Sequence, residues 1–237
     1  MEKRTFPAVV SKIVDEGPSA RTFRLDLAAG AAFAFLPGQS VSVAFPGAPP
    51  GGVYPISSSP LEEGYVEVTL GPVCAFSKGL FELSGGESLE LSGPLGDWCY
   101  RDEHKHAVLL SAGSGIAAYR SMIRYVLQKG LPNHIALLYA ASLPSRVLFR
   151  SELEEFSKRG IAVTVTVTGP IPADEAWDGR KGPITPELVR KALAGAPEAV
   201  CFVSGDAPSI EALTETLAKA GVDKRRILAE EEPCTAL

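Results

Sequence analysis

The stretch Ala107 to Ile123, AVLLSAGSGIAAYRSMI, decides how this chain reads. Val108, Leu109 and Leu110 make a short continuous apolar run, the pattern of a strand covered on both faces. Ile116, Tyr119, Met122, Ile123, Val126 and Leu127 then recur at helical spacing, with Gly113, Ser114 and Gly115 in between. Glycine lets the backbone turn sharply and lets a ligand approach closely, and the first amides of a helix beginning at Ile116 favour an anion. The stretch therefore predicts a strand, a tight turn and a helix, with a phosphate or ribose seat at the strand's carboxyl end. A close-packed corner without a ligand has the same signature, and the third glycine of the full dinucleotide pattern is here Ala118.

Before this stretch, residues 6–70 alternate with the two-residue rhythm of strands, punctuated by Pro and Gly. Strands are expected at 8–14, 22–27, 53–57, 65–70 and 88–91, with another running to Val43 after the turn Leu36-Pro37-Gly38-Gln39. One helix is expected, at 76–83. Six short strands with a single helix among them indicate an antiparallel barrel or sandwich and not a parallel sheet. Residues 100–106 are polar and suit an exposed boundary. Beyond them, strands at 107–111, 134–140, 161–167, 199–204 and 226–229 alternate with helices near 116–129, 150–158, 185–194 and 208–219, the signature of a parallel sheet with helices on both faces. The expected class is β plus α/β, with a six-stranded antiparallel barrel in residues 1–101 and a nucleotide-binding α/β domain in residues 102–237.

Composition excludes several functions. At 237 residues, 46% hydrophobic and 22% charged, the chain is ordinary globular material, and a net charge of −5 argues against a nucleic-acid partner. No run approaches the roughly 20 apolar residues of a membrane span and no leader is evident, so the expectation is a soluble, unprocessed, cytoplasmic protein. Cys74, Cys99, Cys201 and Cys234 form no C-x-x-C pair, which leaves zinc and iron–sulfur sites unsupported and suggests reduced thiols. His104 and His106 are read as solvated linker residues and not as metal ligands, and Glu154-Glu155 and Glu230-Glu231-Glu232 as exposed helix or tail charge. No G-x-S-x-G elbow offers an acyl-transfer nucleophile.

Six segments in order then resemble the ferredoxin–NADP reductase superfamily over almost the whole chain. They are Leu36-Pro37-Gly38-Gln39, Tyr54-Pro55-Ile56-Ser57-Ser58-Ser59-Pro60, Gly93-Pro94-Leu95-Gly96, Gly113-Ser114-Gly115-Ile116-Ala117, Trp177-Asp178-Gly179-Arg180-Lys181-Gly182 and Val203-Ser204-Gly205-Asp206. The length is similar to that of stand-alone members such as the bacterial NAD(P)H:flavin reductases. The resemblance implies FAD, or FMN, on the barrel and NADP or NAD on the α/β domain as the hydride donor. It also implies hydride transfer to the flavin where the domains meet, and electrons leaving to ferredoxin, another protein or free flavin.

The same resemblance assigns residues and exposes departures. Where the family has R-x-Y-S, this chain has Gly52, Val53, Tyr54 and Pro55, so the flavin phosphate loses a charge-assisted contact of about 1.5–3 kcal/mol. Tyr54 remains to cover the flavin, with the Ile56 amide or the Ser57 hydroxyl as substitute donors. The family's glycine, x, x, Ser segment is here Cys74-Ala75-Phe76-Ser77, whose amides and Ser77 suit a pyrophosphate, with Lys78 as a replacement cation or else a solvent-facing side chain. Ser204 stands where relatives have a cysteine beside the nicotinamide, and Gly205 permits close approach. Asp206 is either a helix N-cap before Pro208 and Ser209 or a ligand contact. Ser142 and Arg146 match a grip on a ribose phosphate, and with no acidic residue in that segment the expectation leans to NADP. Tyr54, Ser57 and Ser204 are the catalytic candidates. The closing residues, Glu232 to Leu237, carry no aromatic to shield a flavin. The alternative is a member with weak flavin binding, serving as a nucleotide-sensing or scaffold subunit of a redox complex; Gly52 and Pro55 favour it.

Overall fold

The computed structural model describes residues 5–231, so Cys234 and the closing segment lie outside the described residues. Two compact units emerge from the pattern of contacts. One contains the described residues up to Arg101 together with Ala117–Lys129, and the other contains Asp102–Ile116 and Gly130–Glu231.

The first unit is built on six strands, β1 (Thr5–Asp15), β2 (Arg21–Leu27), β3 (Ser40–Ala44), β4 (Gly52–Pro55), β5 (Tyr65–Leu70) and β6 (Ser88–Leu95), with α1 (Ala75–Phe81) between the last two. They pair antiparallel in the order β4-β3-β6-β1-β2-β5. Just past β4, Ile56 bridges to Val68 of β5, so the two ends of that order meet. Inward-facing residues of alternate register, among them Val10, Phe23, Leu25, Val41, Ile56, Val68 and Leu91, form the core. Two of the quoted motifs are joined here: Gln39 accepts from the Leu36 amide at 2.8 Å and donates to the Gly96 carbonyl at 2.7 Å.

In the second motif, Ser57-Ser58-Ser59 is buried and anchored to β5. The Ser57 amide donates to the Glu67 carbonyl, and the Glu67 amide donates to Ser58 Oγ. Glu67 is the hub of a buried ion network. Its carboxylate takes two bonds from Arg24 at 2.8 and 3.0 Å and one from Arg120 at 2.6 Å, with Arg124 at 3.3 Å. Arg120 and Arg124 lie one turn apart on α2 (Ile116–Lys129), and Arg124 also pairs with Glu62. Burial pushes the Glu67 carboxyl up, but the Arg120 and Arg24 guanidiniums outweigh it and hold it below the ordinary value.

The second unit is a parallel sheet of β7 (His106–Ala112), β8 (His134–Ala141), β9 (Ala162–Val167), β10 (Arg180–Lys181), β11 (Val200–Gly205) and β12 (Ile227–Glu231), in the order β10-β9-β8-β7-β11-β12. The remaining helices are α3 (Arg150–Lys158), α4 (Pro186–Ala192) and α5 (Ala207–Lys219). Chain order runs outward from β7 on one side and returns at β11 on the other. The crevice at their carboxyl ends is thus a topological switch point, where ligands of open α/β sheets bind.

Three expectations are corrected. Tyr100 is fully buried and its amide donates to the Pro37 carbonyl, so it closes the first unit and is not an exposed linker residue. His106 is the first residue of β7, its ring stacked on His134 at 5.3 Å and 6°, and so is not in a linker either. Glu230 is half-buried in β12, which extends to Glu231. Desolvation there pushes its carboxyl up to about 7, unlike a solvated tail charge.

Candidate functional site

The switch point carries the Gly113–Gly115 turn, a single 3-10 turn between β7 and α2. Gly113 has φ +64°, and a Cβ added there would meet nothing within 4 Å, so the backbone faces open space. Gly115 is the opposite case: a Cβ would lie 2.7 Å from the Ser204 carbonyl oxygen and 3.0 Å from its hydroxyl. Only glycine brings this turn against the end of β11. Gly205 is similarly close, its Cβ position 3.3 Å from the Ala112 carbonyl oxygen. Ser114 is exposed at the tip, while Ile116 and Ser204 are buried.

Parallel register places Ser204 beside Ser111 and Ser111 beside Tyr139. The Ser111 hydroxyl is fully buried and has no hydrogen-bond partner among the described residues. It was missed from the sequence, although a polar residue ending the apolar run AVLLS was a readable sign. On the other side of Ser204 lies Glu230. Asp206 is the N-cap of α5, its Oδ1 accepting from the Ser209 amide at 3.0 Å, with Pro208 in the first turn.

The Ser142–Arg146 segment follows β8, and both named side chains are exposed. Glu175 arrives from 30 residues away and takes the Ser145 amide and hydroxyl, each at 2.8 Å, so a carboxylate from outside the segment stands beside it.

The barrel candidates are placed differently. Tyr54 is 4% exposed, and its ring lies over Gly52, where a Cβ would come within 2.7 Å of Cζ. The Phe76 ring lies over Gly51 in the same way and stacks on Tyr54 at 6.5 Å and 21°, with Phe45 edge-on at 5.3 Å. Gly51 and Gly52 are therefore not merely a lost arginine; they make room for two rings. Ala75 and Phe76 open α1, whose N-cap is Cys74. Ser77 is buried in a capping box: its hydroxyl accepts from the Cys74 amide at 2.9 Å, and its own amide donates to Cys74 Sγ at 3.4 Å. Those bonds from Ser77, then the Phe76 amide and the Tyr54 hydroxyl, hold the thiol below its ordinary value. Lys78 is exposed.

The Ile56 amide and the Ser57 hydroxyl, the substitute donors, both have partners inside the protein. The Ile56 amide donates to the Gln39 carbonyl at 3.0 Å, and the Ser57 and Thr69 hydroxyls are hydrogen-bonded to each other at 3.0 Å. Both are fully buried.

Comparison with known proteins agrees with this geometry. Residues 109–215 match the family model described as the oxidoreductase NAD-binding domain. Ferredoxin–NADP reductase B of Sorangium cellulosum (strain So ce56) is 30% identical over 223 residues, covering 86% of this chain and 88% of that protein. The toluate 1,2-dioxygenase electron transfer component of Pseudomonas putida is 25% identical over 238 residues, covering 98% of this chain and 68% of that one. In fold, the ferredoxin NADP+ reductase of Neisseria gonorrhoeae, solved with bound FAD and NADP, superposes with TM-score 0.76 at 18% identity, covering 97% of this chain and 99% of that one. With the switch-point turn, the two-unit architecture and these relatives in agreement, the chain belongs to the ferredoxin–NADP reductase superfamily.

Proposed function

We propose that this chain is an FAD-dependent NAD(P)H oxidoreductase that delivers electrons to a protein acceptor, a ferredoxin or an oxygenase component, or to free flavin. The observation that carries it is the Gly113–Gly115 turn, pressed against Ser204 at the switch point and open in front of Gly113. Backbone amides there suit a pyrophosphate, and Ser204 with Gly205 suits the nicotinamide end. The relatives' names, a ferredoxin–NADP reductase and a dioxygenase electron transfer component, support the acceptor class. A flavin supplies the conversion of a hydride into single electrons, and the protein supplies position and electrostatics.

As the side chains stand, the barrel does not fit a resident flavin. Phe76 stacks on the Tyr54 ring, and the Ser77 amide and hydroxyl donate to Cys74. The nucleotide side has no such obstruction. Glu175 beside the Ser142–Arg146 segment opposes a ribose phosphate by like charge, which favours NADH over NADPH. Among the described residues no helix is long and apolar enough to cross a membrane. Among the described residues Cys74, Cys99 and Cys201 form no disulfide, which supports a reducing compartment such as the cytoplasm.

The test is ferricyanide reduction by the purified protein with NADH or NADPH, with and without added FAD. Oxidation that depends on FAD and is faster with NADH is expected. No nucleotide oxidation at any FAD concentration would overturn the proposed activity.

A further inference from the structure

We propose that Phe76 and Cys74 are built-in occupants of the flavin seat, so that a flavin enters only when both leave and is held as a dissociable ligand. The inference rests on the reductase reading above and says how its flavin is bound. Four independent placements point the same way. The Phe76 ring stacks on the Tyr54 ring, with centroids 6.5 Å apart and planes at 21°. The side-chain-free strand at Gly51 and Gly52 is covered by these same two rings, so the space vacated by an arginine has been filled with protein. The Ser77 amide and hydroxyl, which would meet a pyrophosphate, are bonded to Cys74. The Ile56 amide and Ser57 hydroxyl are bonded inside the barrel.

The Ser77, Ile56 and Ser57 groups each have a partner inside the protein, so a flavin would have to displace existing bonds to use them. Position 52, where the resemblance places an arginine on the flavin phosphate, is glycine, and Lys78 is exposed. The thiol of Cys74, held low by its donors, adds like charge to a phosphate as it ionises. The two occupants therefore act together: Phe76 competes with the ring system and Cys74 with the phosphate.

The experiment is equilibrium binding of FAD, FMN and riboflavin to the purified full chain, followed by quenching of flavin fluorescence, for the wild type, Phe76→Ala, Cys74→Gly and the double variant. The wild type should purify without flavin and bind FAD weakly. Each single variant should bind FAD about ten-fold tighter, because a competing contact has been removed. Riboflavin, which lacks a phosphate, should respond to Phe76→Ala and not to Cys74→Gly. If Phe76→Ala unfolds, Phe76→Leu keeps the apolar contact, removes the stacking face and should also tighten binding. Wild-type protein carrying stoichiometric flavin that survives dialysis, or variants that bind FAD no tighter than wild type, would overturn the inference while leaving the reductase activity intact. Absence of flavin binding in every variant, with no NAD(P)H oxidation, would overturn both, and would fit a nucleotide-binding subunit.

Discussion

Two glycine pairs sit at the two ends of this chain's chemistry, and they are used in opposite ways. Gly113 and Gly115 clear the switch-point turn: the first faces open space and the second lets the turn press on Ser204. Gly51 and Gly52 clear a strand that Phe76 and Tyr54 then fill. A missing side chain thus says only that something comes close. Whether that something is a ligand or the protein itself depends on residues elsewhere, here the aromatic of α1.

The comparison can be broken at either end. The largest effect is expected under the filled pair, where Glu67 anchors the segment following Tyr54. Glu67→Gln leaves Arg24 and Arg120 without their buried counter-charge and should cost about 3 kcal/mol in denaturant unfolding. Because the folded pKa of Glu67 lies below its unfolded value, its stabilisation is fully present above the ordinary carboxylate pKa and is lost as pH falls through the lowered folded value. The difference between wild type and Glu67→Gln should accordingly shrink in acid.

At the open pair, Gly115→Ala forces the turn off Ser204 and should lower kcat/KM for NADH by about 100-fold, since displacement of the order of 1 Å has that cost. Flavin affinity should not change, which separates the two pairs. Glu230 sharpens the same end. Its folded pKa of about 7 lies above the ordinary carboxylate value, so the protein loses stability as pH rises from the unfolded value through 7. Glu230→Gln should remove that loss and be more stable than wild type by on the order of 1–2 kcal/mol at pH 8, the full conversion being reduced because the carboxyl keeps part of its hydration. The smallest effect is expected at Asp206. As an N-cap it should cost about 1 kcal/mol when changed to Ala, with NADH oxidation unaffected.

Much of the fold was legible because it rests on local periodicity. The helix at 116–129 and the helix at 150–158 have the extents their apolar spacing predicts, and β5 spans Tyr65–Leu70 as read. The open turn was legible for the same reason, since strand, glycines and helix are contiguous. The filled seat was not. Phe76 reads as an apolar helix residue, and nothing local says that its ring crosses to Gly51 or that Cys74 caps the helix through sulfur. Nothing local marks Arg120 and Arg124 as ion-pair partners, because Glu67 and Glu62 are more than fifty residues away. Glu175 and Ser145 are hidden likewise, and Glu230 took its character from burial that a run of three glutamates conceals.

The most direct measurement is anaerobic mixing of the purified chain with FAD and then NADH, following the visible absorbance of the oxidised flavin. Rapid bleaching that requires the protein and is lost in Gly115→Ala is the expected result. Flavin that stays oxidised in the presence of protein and excess NADH would contradict the assignment of this chain as a reductase.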